Sequence, residues 1–151
     1  MTADPERRAP PVEILLVEDN LGDARLTREA LKEGKVYNTL HWVKDGVEAL
    51  DFLHKRGKHK DAPKADIILL DLNLPKKDGR EVLQEIKGDD NLKRIPVVIL
   101  TTSKAEEDVL KTYSLHANCY VTKPVDLEQF IKVVQSIDNF WLTVVTLPNG
   151  K

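Results

Sequence analysis

Apolar positions along this chain follow two alternating rhythms, and the alternation predicts an architecture. Val12-Glu13-Ile14-Leu15-Leu16-Val17 is short and apolar enough for a buried strand. Leu21, Ala24, Thr27, Ala30 and Leu31 then recur at helical spacing, and Gly34 can end that helix. Thr39 to Val43 predicts a second strand; Asp45-Gly46 turns the chain, and Val47, Leu50 and Leu53 mark the inner stripe of a second helix. A hydrophilic loop from Arg56 to Lys64 leads into a third strand, Ala65 to Leu70, followed by a helix carrying Val82, Leu83 and Ile86. Pro96 to Leu100 predicts the fourth strand, and Val109, Leu110 and Tyr113 a further helix. Cys119 to Val121 predicts a brief fifth strand, and Leu127, Phe130, Ile131 and Val134 the last helix. Strand and helix in strict alternation predict an α/β fold, a doubly wound five-stranded parallel sheet with helices on both faces.

The ends of the chain lack this rhythm. Residues 1–11 are rich in proline and charge and read as a flexible leader, leaving 12–139 as the folded domain. Residues 140–151 form an extension that begins Phe140-Trp141-Leu142. Val134, Ile137, Trp141, Val144 and Val145 would share one stripe if the last helix ran on, whereas the β-branched run from Thr143 to Thr146 favours an extended tail. On either reading, Phe140, Trp141, Leu142 and Val145 need a cover, and a second copy of the chain, giving a homodimer, is the expected one.

Composition narrows the class. A chain of 151 residues suits one ordinary domain, and the formal net charge of −2 gives no reason to expect nucleic acid or an anionic membrane as partner. The basic tract Lys55-Arg56-Gly57-Lys58-His59-Lys60 has no interleaved aromatics and reads as a solvated loop. Cys119 is the single cysteine, which excludes an internal disulfide and suits a reducing compartment. With no apolar stretch long enough to span a bilayer and no signal-peptide core, a cytoplasmic location is expected.

The candidate chemistry lies where strands end. Asp71 follows Ile67-Ile68-Leu69-Leu70 and precedes a loop containing Pro75 and Asp78-Gly79. Glu18 and Asp19 follow the first strand, Thr101 and Thr102 the fourth, and Lys123-Pro124 the fifth. Each has an ordinary structural reading alone: acidic groups at a helix start, an Asx turn, a strand-end threonine, a solvated turn. In a parallel sheet, however, all of them gather at the carboxyl-terminal edge, where open α/β sheets bind ligands. Three carboxylates in one crevice repel one another and call for a hard divalent cation such as magnesium. Asp71 could then attack a phosphoryl donor, with Lys123 and the cation neutralising charge and Thr101 donating its hydroxyl to a phosphoryl oxygen.

The ordered series Ile14-Leu15-Leu16-Val17-Glu18-Asp19, Asp45-Gly46-Val47-Glu48-Ala49-Leu50, Ile68-Leu69-Leu70-Asp71-Leu72-Asn73-Leu74-Pro75 with Asp78-Gly79, Pro96-Val97-Val98-Ile99-Leu100-Thr101, and Tyr120-Val121-Thr122-Lys123-Pro124 resembles receiver domains of two-component response regulators. The resemblance spans about Val12 to Ile137. It implies a flavodoxin-like sheet of order 2-1-3-4-5, Asp71 as phosphoacceptor, and Glu18 and Asp19 as the acidic pair at magnesium, with Asn73 supplying a backbone carbonyl. It also implies Lys123 as counter-charge, Thr101 as the hydroxyl that follows the phosphoryl group, and Tyr120 as the aromatic that changes burial with it. Glu18 departs from the aspartate that many members carry there. The Asn20–Leu26 segment, the Leu74–Leu83 loop, Thr101-Thr102-Ser103, Asn118-Cys119-Tyr120 and the tail resemble a narrower group. These are stand-alone regulators served by phytochrome-type sensor histidine kinases, which commonly dimerise through their last two helices. Such a protein is not a dedicated enzyme, although it catalyses its own phosphorylation and slow dephosphorylation. Two other readings fit the same residues: a small magnesium-dependent phosphohydrolase using Asp71 covalently, and a receiver-like interaction protein that is never phosphorylated.

Overall fold

The computed structural model describes residues 11–33, 38–72, 74–102 and 119–135. Five strands form one parallel sheet: β1 (Val12–Val17), β2 (Asn38–Val43), β3 (Ile67–Asp71), β4 (Val97–Thr101) and β5 (Cys119–Thr122). Their order is β2-β1-β3-β4-β5, as the resemblance implied. The described helices are α1 (Leu21–Glu33), α2 (Gly46–Leu53), α3 (Gly79–Gly88) and α4 (Leu127–Gln135), with a short 3-10 turn at Gly57–His59. The helix predicted around Val109 lies outside the described residues, as do the proposed leader and the dimer candidates Phe140, Trp141, Leu142 and Val145.

Successive side chains on a strand point to opposite faces, so each apolar run feeds two cores. Leu15, Val17, Ile68, Leu70, Val97 and Ile99 pack on one face with Leu50 and Phe52 of α2 and Val82, Leu83 and Ile86 of α3. Ile14, Leu16, Ile67, Leu69, Val98, Leu100 and Val121 pack on the other with Ala24 and Leu31 of α1 and Phe130 of α4. Every residue of β3 and β4 is buried, as covered central strands require, whereas β2 at the edge is only partly so. Each fully buried leucine or isoleucine contributes about 1.5–3 kcal/mol, and a one-residue slip of a strand would exchange its two faces. The register is therefore strongly specified.

Two predicted stripe positions are corrected. Val47 is 45 % exposed: α2 buries Gly46, Ala49, Leu50, Phe52 and Leu53, so Leu50 and Leu53 of the predicted stripe face the core while Val47 lies outside it. Leu21 is 49 % exposed: it opens α1 immediately after Asn20, and the buried face begins only at Ala24. Strands β3 and β4 also begin later and end one residue further on than predicted, so Asp71 and Thr101 lie within the sheet. Asp45 accepts a hydrogen bond from the Glu48 N–H (2.8 Å), making it the cap of α2 rather than a free turn residue.

Gly79 explains how α3 meets the loop after Asp71. A Cβ there would lie 2.5 Å from Leu72 Cα and 2.6 Å from the Asp71 carbonyl oxygen, both backbone atoms. The Gly79 N–H donates to the Leu72 carbonyl at 3.0 Å, so the close approach closes the loop beneath Asp71.

Candidate functional site

The parallel order brings the carboxyl ends of β1, β3, β4 and β5 to one edge. Glu18 leaves β1 with its backbone fixed to β2: its N–H donates to the Val43 carbonyl (3.1 Å), and its carbonyl accepts from Trp42 Nε1 (2.7 Å). Its side chain is fully buried. Asn20 Oδ1 accepts from the Asp23 N–H at 2.8 Å, so Asn20 caps the start of α1, and its own N–H donates to Glu18 Oε2 at 3.2 Å. Oxygens of Glu18, Asp19 and Asp71 lie within 4.8 Å of one another; Asp19 is exposed, while Glu18 and Asp71 are buried.

Lys123 enters from the end of β5. Its N–H donates to the Thr101 carbonyl at 2.7 Å, and a cis peptide joins it to Pro124. Its ammonium donates to three carboxylates: Glu18 Oε1 at 3.1 Å, Asp71 Oδ2 at 3.1 Å and Asp23 Oδ2 at 2.9 Å. Sequence reasoning does not single out Asp23, in the first turn of α1. Its only signal there is its position, one helical turn beyond an acidic pair at the end of a strand.

The electrostatics follow from burial and crowding. Burial pushes the Glu18 carboxyl up to about 7; the nearby Asp71 charge and a shared hydrogen bond push the same way, and Lys123 only partly opposes them. Burial works against the charge of Lys123, but the hydrogen bonds it donates to Asp23 and Asp71 and the charges of Asp71 and Glu18 prevail. Its ammonium is held above the ordinary lysine value. One cation therefore faces an excess of carboxylate, and the converging oxygens are the hard ligands that a divalent ion of the magnesium type prefers. These groups fit such an ion, whose charge would relieve the repulsion acting on Glu18.

Thr101 adjoins this cluster through its carbonyl, which accepts from the Lys123 N–H, and Tyr120 lies further down β5. Thr101 Oγ1 is buried and has no hydrogen-bond partner among the described residues. A buried hydroxyl without a partner is costly, which suits a group that acquires one in another state. Tyr120, in register with Ile99, is half-buried against the α2 and α3 core. Asn73 lies outside the described residues, so the structure supplies no position for its carbonyl.

Residues 14–135 match the family described as "Response regulator receiver domain". The chain belongs to the response regulator receiver family. As a receiver it takes part in two-component signalling and is not a dedicated enzyme; the chemistry of such domains is their own phosphorylation and dephosphorylation. "Response regulator Rcp1" of Synechocystis sp. is 54% identical over 139 residues, covering 92% of this chain and 95% of that protein. The crystal structure of its Mn(2+)-bound form has a TM-score of 0.70, covering 91% of this chain and 99% of that one. The bacteriophytochrome response regulator AtBRR is 43% identical with a TM-score of 0.85, covering 92% of this chain and all (100%) of that chain. The phosphorylated cyanobacterial phytochrome response regulator RcpA is 52% identical with a TM-score of 0.71, covering 91% of this chain and 99% of that chain. Several of this receiver's relatives are thus phytochrome-associated regulators. No helix among its described residues is long and apolar enough to cross a membrane.

Proposed function

We propose that this receiver accepts one phosphoryl group on Asp71 from a phytochrome-type sensor histidine kinase and signals through the protein surface that the phosphoryl group remodels. The observation that carries the reading is the contact of Asp71 with Lys123 inside a cluster of three converging carboxylates. In the transfer, an Asp71 carboxylate oxygen bonds to phosphorus as the P–N bond of the kinase phosphohistidine breaks, and the departing imidazole keeps the electron pair. A carboxylate is a modest nucleophile, so alignment and charge neutralisation carry most of the rate. Lys123 offers an N–H to a phosphoryl oxygen, and Thr101 Oγ1 donates its otherwise unused hydrogen bond to another. Magnesium, held by Glu18, Asp19, Asp71 and the Asn73 carbonyl, supplies positive charge to the phosphoryl oxygens when bound. The Mn(2+)-bound structure of the relative Rcp1 supports a divalent cation here.

Movement of Thr101 toward the phosphoryl group favours a more buried Tyr120, and this shift is the output. Phe140, Trp141, Leu142 and Val145 contribute to a homodimer contact beyond the 12–139 domain, and the protein works in the cytoplasm. Two-component relatives whose names refer to phytochrome support the kinase class.

Intact-mass measurement after incubation with acetyl phosphate and magnesium tests the central claim. Wild type should gain the mass of a single phosphoryl group and lose it slowly, while Asp71→Ala gains none. Equal labelling of the two proteins would reject Asp71, and rapid multiple turnover of donor would point to a phosphohydrolase instead.

A further inference from the structure

We infer that Asp23 is a positioning residue for Lys123, occupying an ammonium N–H that a phosphoryl oxygen must win before Asp71 is efficiently modified. The inference rests on the phosphoacceptor reading and adds a rate-setting group that the sequence did not reveal. A lysine ammonium has three N–H donors and no acceptor. In this structure it has three carboxylate partners at 2.9, 3.1 and 3.1 Å, one for each donor. A phosphoryl oxygen approaching Lys123 must therefore replace or share one of them.

The three partners differ in what they do next. Asp71 gives up its charge at the oxygen that becomes the acyl phosphate, and Glu18 belongs to the converging group suited to a cation. Asp23 is outside that group. Its carboxylate bond to Lys123 is the shortest of the three, and its side chain is 34% exposed where those of Glu18 and Asp71 are 0% and 6%. On release, Asp23 alone can be rehydrated readily, whereas a released Glu18 would remain in a dry site. The exchange therefore falls on Asp23.

Its backbone is fixed for this role. The Asp23 N–H donates to Asn20 Oδ1, and the Asp23 carbonyl accepts from Thr27 Oγ1 at 3.1 Å. The side chain thus reaches from a rigid first turn of α1 across to the end of β5 and holds Lys123 on that side. Its negative charge also opposes the approach of an anionic donor. Both effects slow phosphorylation in the resting protein; an amide at this position removes the charge and leaves only a weaker, neutral acceptor for Lys123.

Asp23→Asn keeps the size and removes the charge; Asp23→Glu keeps the charge. In time courses of intact mass with acetyl phosphate and magnesium, Asp23→Asn should label about tenfold faster than wild type, as expected when one charge-assisted contact no longer competes. Asp23→Glu should restore slow labelling. In parallel, nitrogen-15 spectra of the lysine side chains should show the Lys123 ammonium protected from solvent exchange in wild type and less so in Asp23→Asn. Equal or slower labelling of Asp23→Asn, or an unaltered Lys123 signal, overturns the inference while leaving Asp71 as acceptor. Wild type that takes no phosphate overturns the proposed function itself, and the Lys123 spectrum then decides separately whether Asp23 holds the ammonium.

Discussion

Glu18 shows how one residue reports on its whole surroundings. Its carboxyl is buried against Asp71 and is held near 7 instead of the ordinary 4.5. Between those values the folded protein binds a proton that the unfolded chain has released, so metal-free stability falls as pH rises from about 4.5 to about 7 and stays low above it. The penalty is on the order of 1–3 kcal/mol. Glu18→Gln removes the titrating group, so it should melt above wild type at about pH 8 in chelator, with the gap closing near pH 5. Differential scanning calorimetry checks this, and a gap that does not vary with pH would reject it. A divalent cation demands the ionised form, so magnesium affinity should rise with pH up to about 7 in wild type and lose that dependence in Glu18→Gln. The residue types at strand ends were enough to pick out Glu18, Asp71, Thr101 and Lys123. Asp23 was missed because its contact with Lys123 spans 100 residues, from α1 to the end of β5.

The elements were legible where periodicity was strong and blurred where a short helix begins. Strands β1, β3 and β4 declared themselves by runs of four apolar residues (14–17, 67–70 and 97–100), and α3 by Val82, Leu83 and Ile86, all fully buried. On the eight-residue α2, a stripe read from three residues found Leu50 and Leu53 but set the face slightly off; Phe52 lies inside it and Val47 outside. Two glycines of α3 make opposite predictions. Gly79→Ala sets a methyl against the backbone of Asp71 and Leu72, and should cost about 1–3 kcal/mol in urea denaturation while slowing phosphorylation. Gly88, at the other end of α3, has nothing within 4 Å of the place a methyl would take, so Gly88→Ala should raise stability by about 0.5–1 kcal/mol. Similar midpoints for the two variants would show that the approach of α3 to the Asp71 loop is not tight.

For the molecule as a whole, the sheet order was the decisive expectation, because only a parallel sheet collects strand ends 18, 71, 101 and 123 at one edge. For the extension 140–151, the sequence pattern alone allowed both a longer helix and an extended tail. If Trp141 seals a dimer, multi-angle light scattering of Trp141→Ala at micromolar concentration should shift toward monomer; an unchanged mass would exclude that contact. The bond from the Trp42 indole to the Glu18 carbonyl, 2.7 Å long, has an optical consequence. It wires a natural fluorophore on the edge strand to the backbone of the acidic cluster, and the chain has just 2 tryptophans. In a Trp141→Phe protein, the remaining emission should change with magnesium until the site saturates, and further on phosphorylation. The same titration of Trp42→Phe with Trp141 intact should be flat. An edge-strand indole would then give a label-free readout of every step at Asp71.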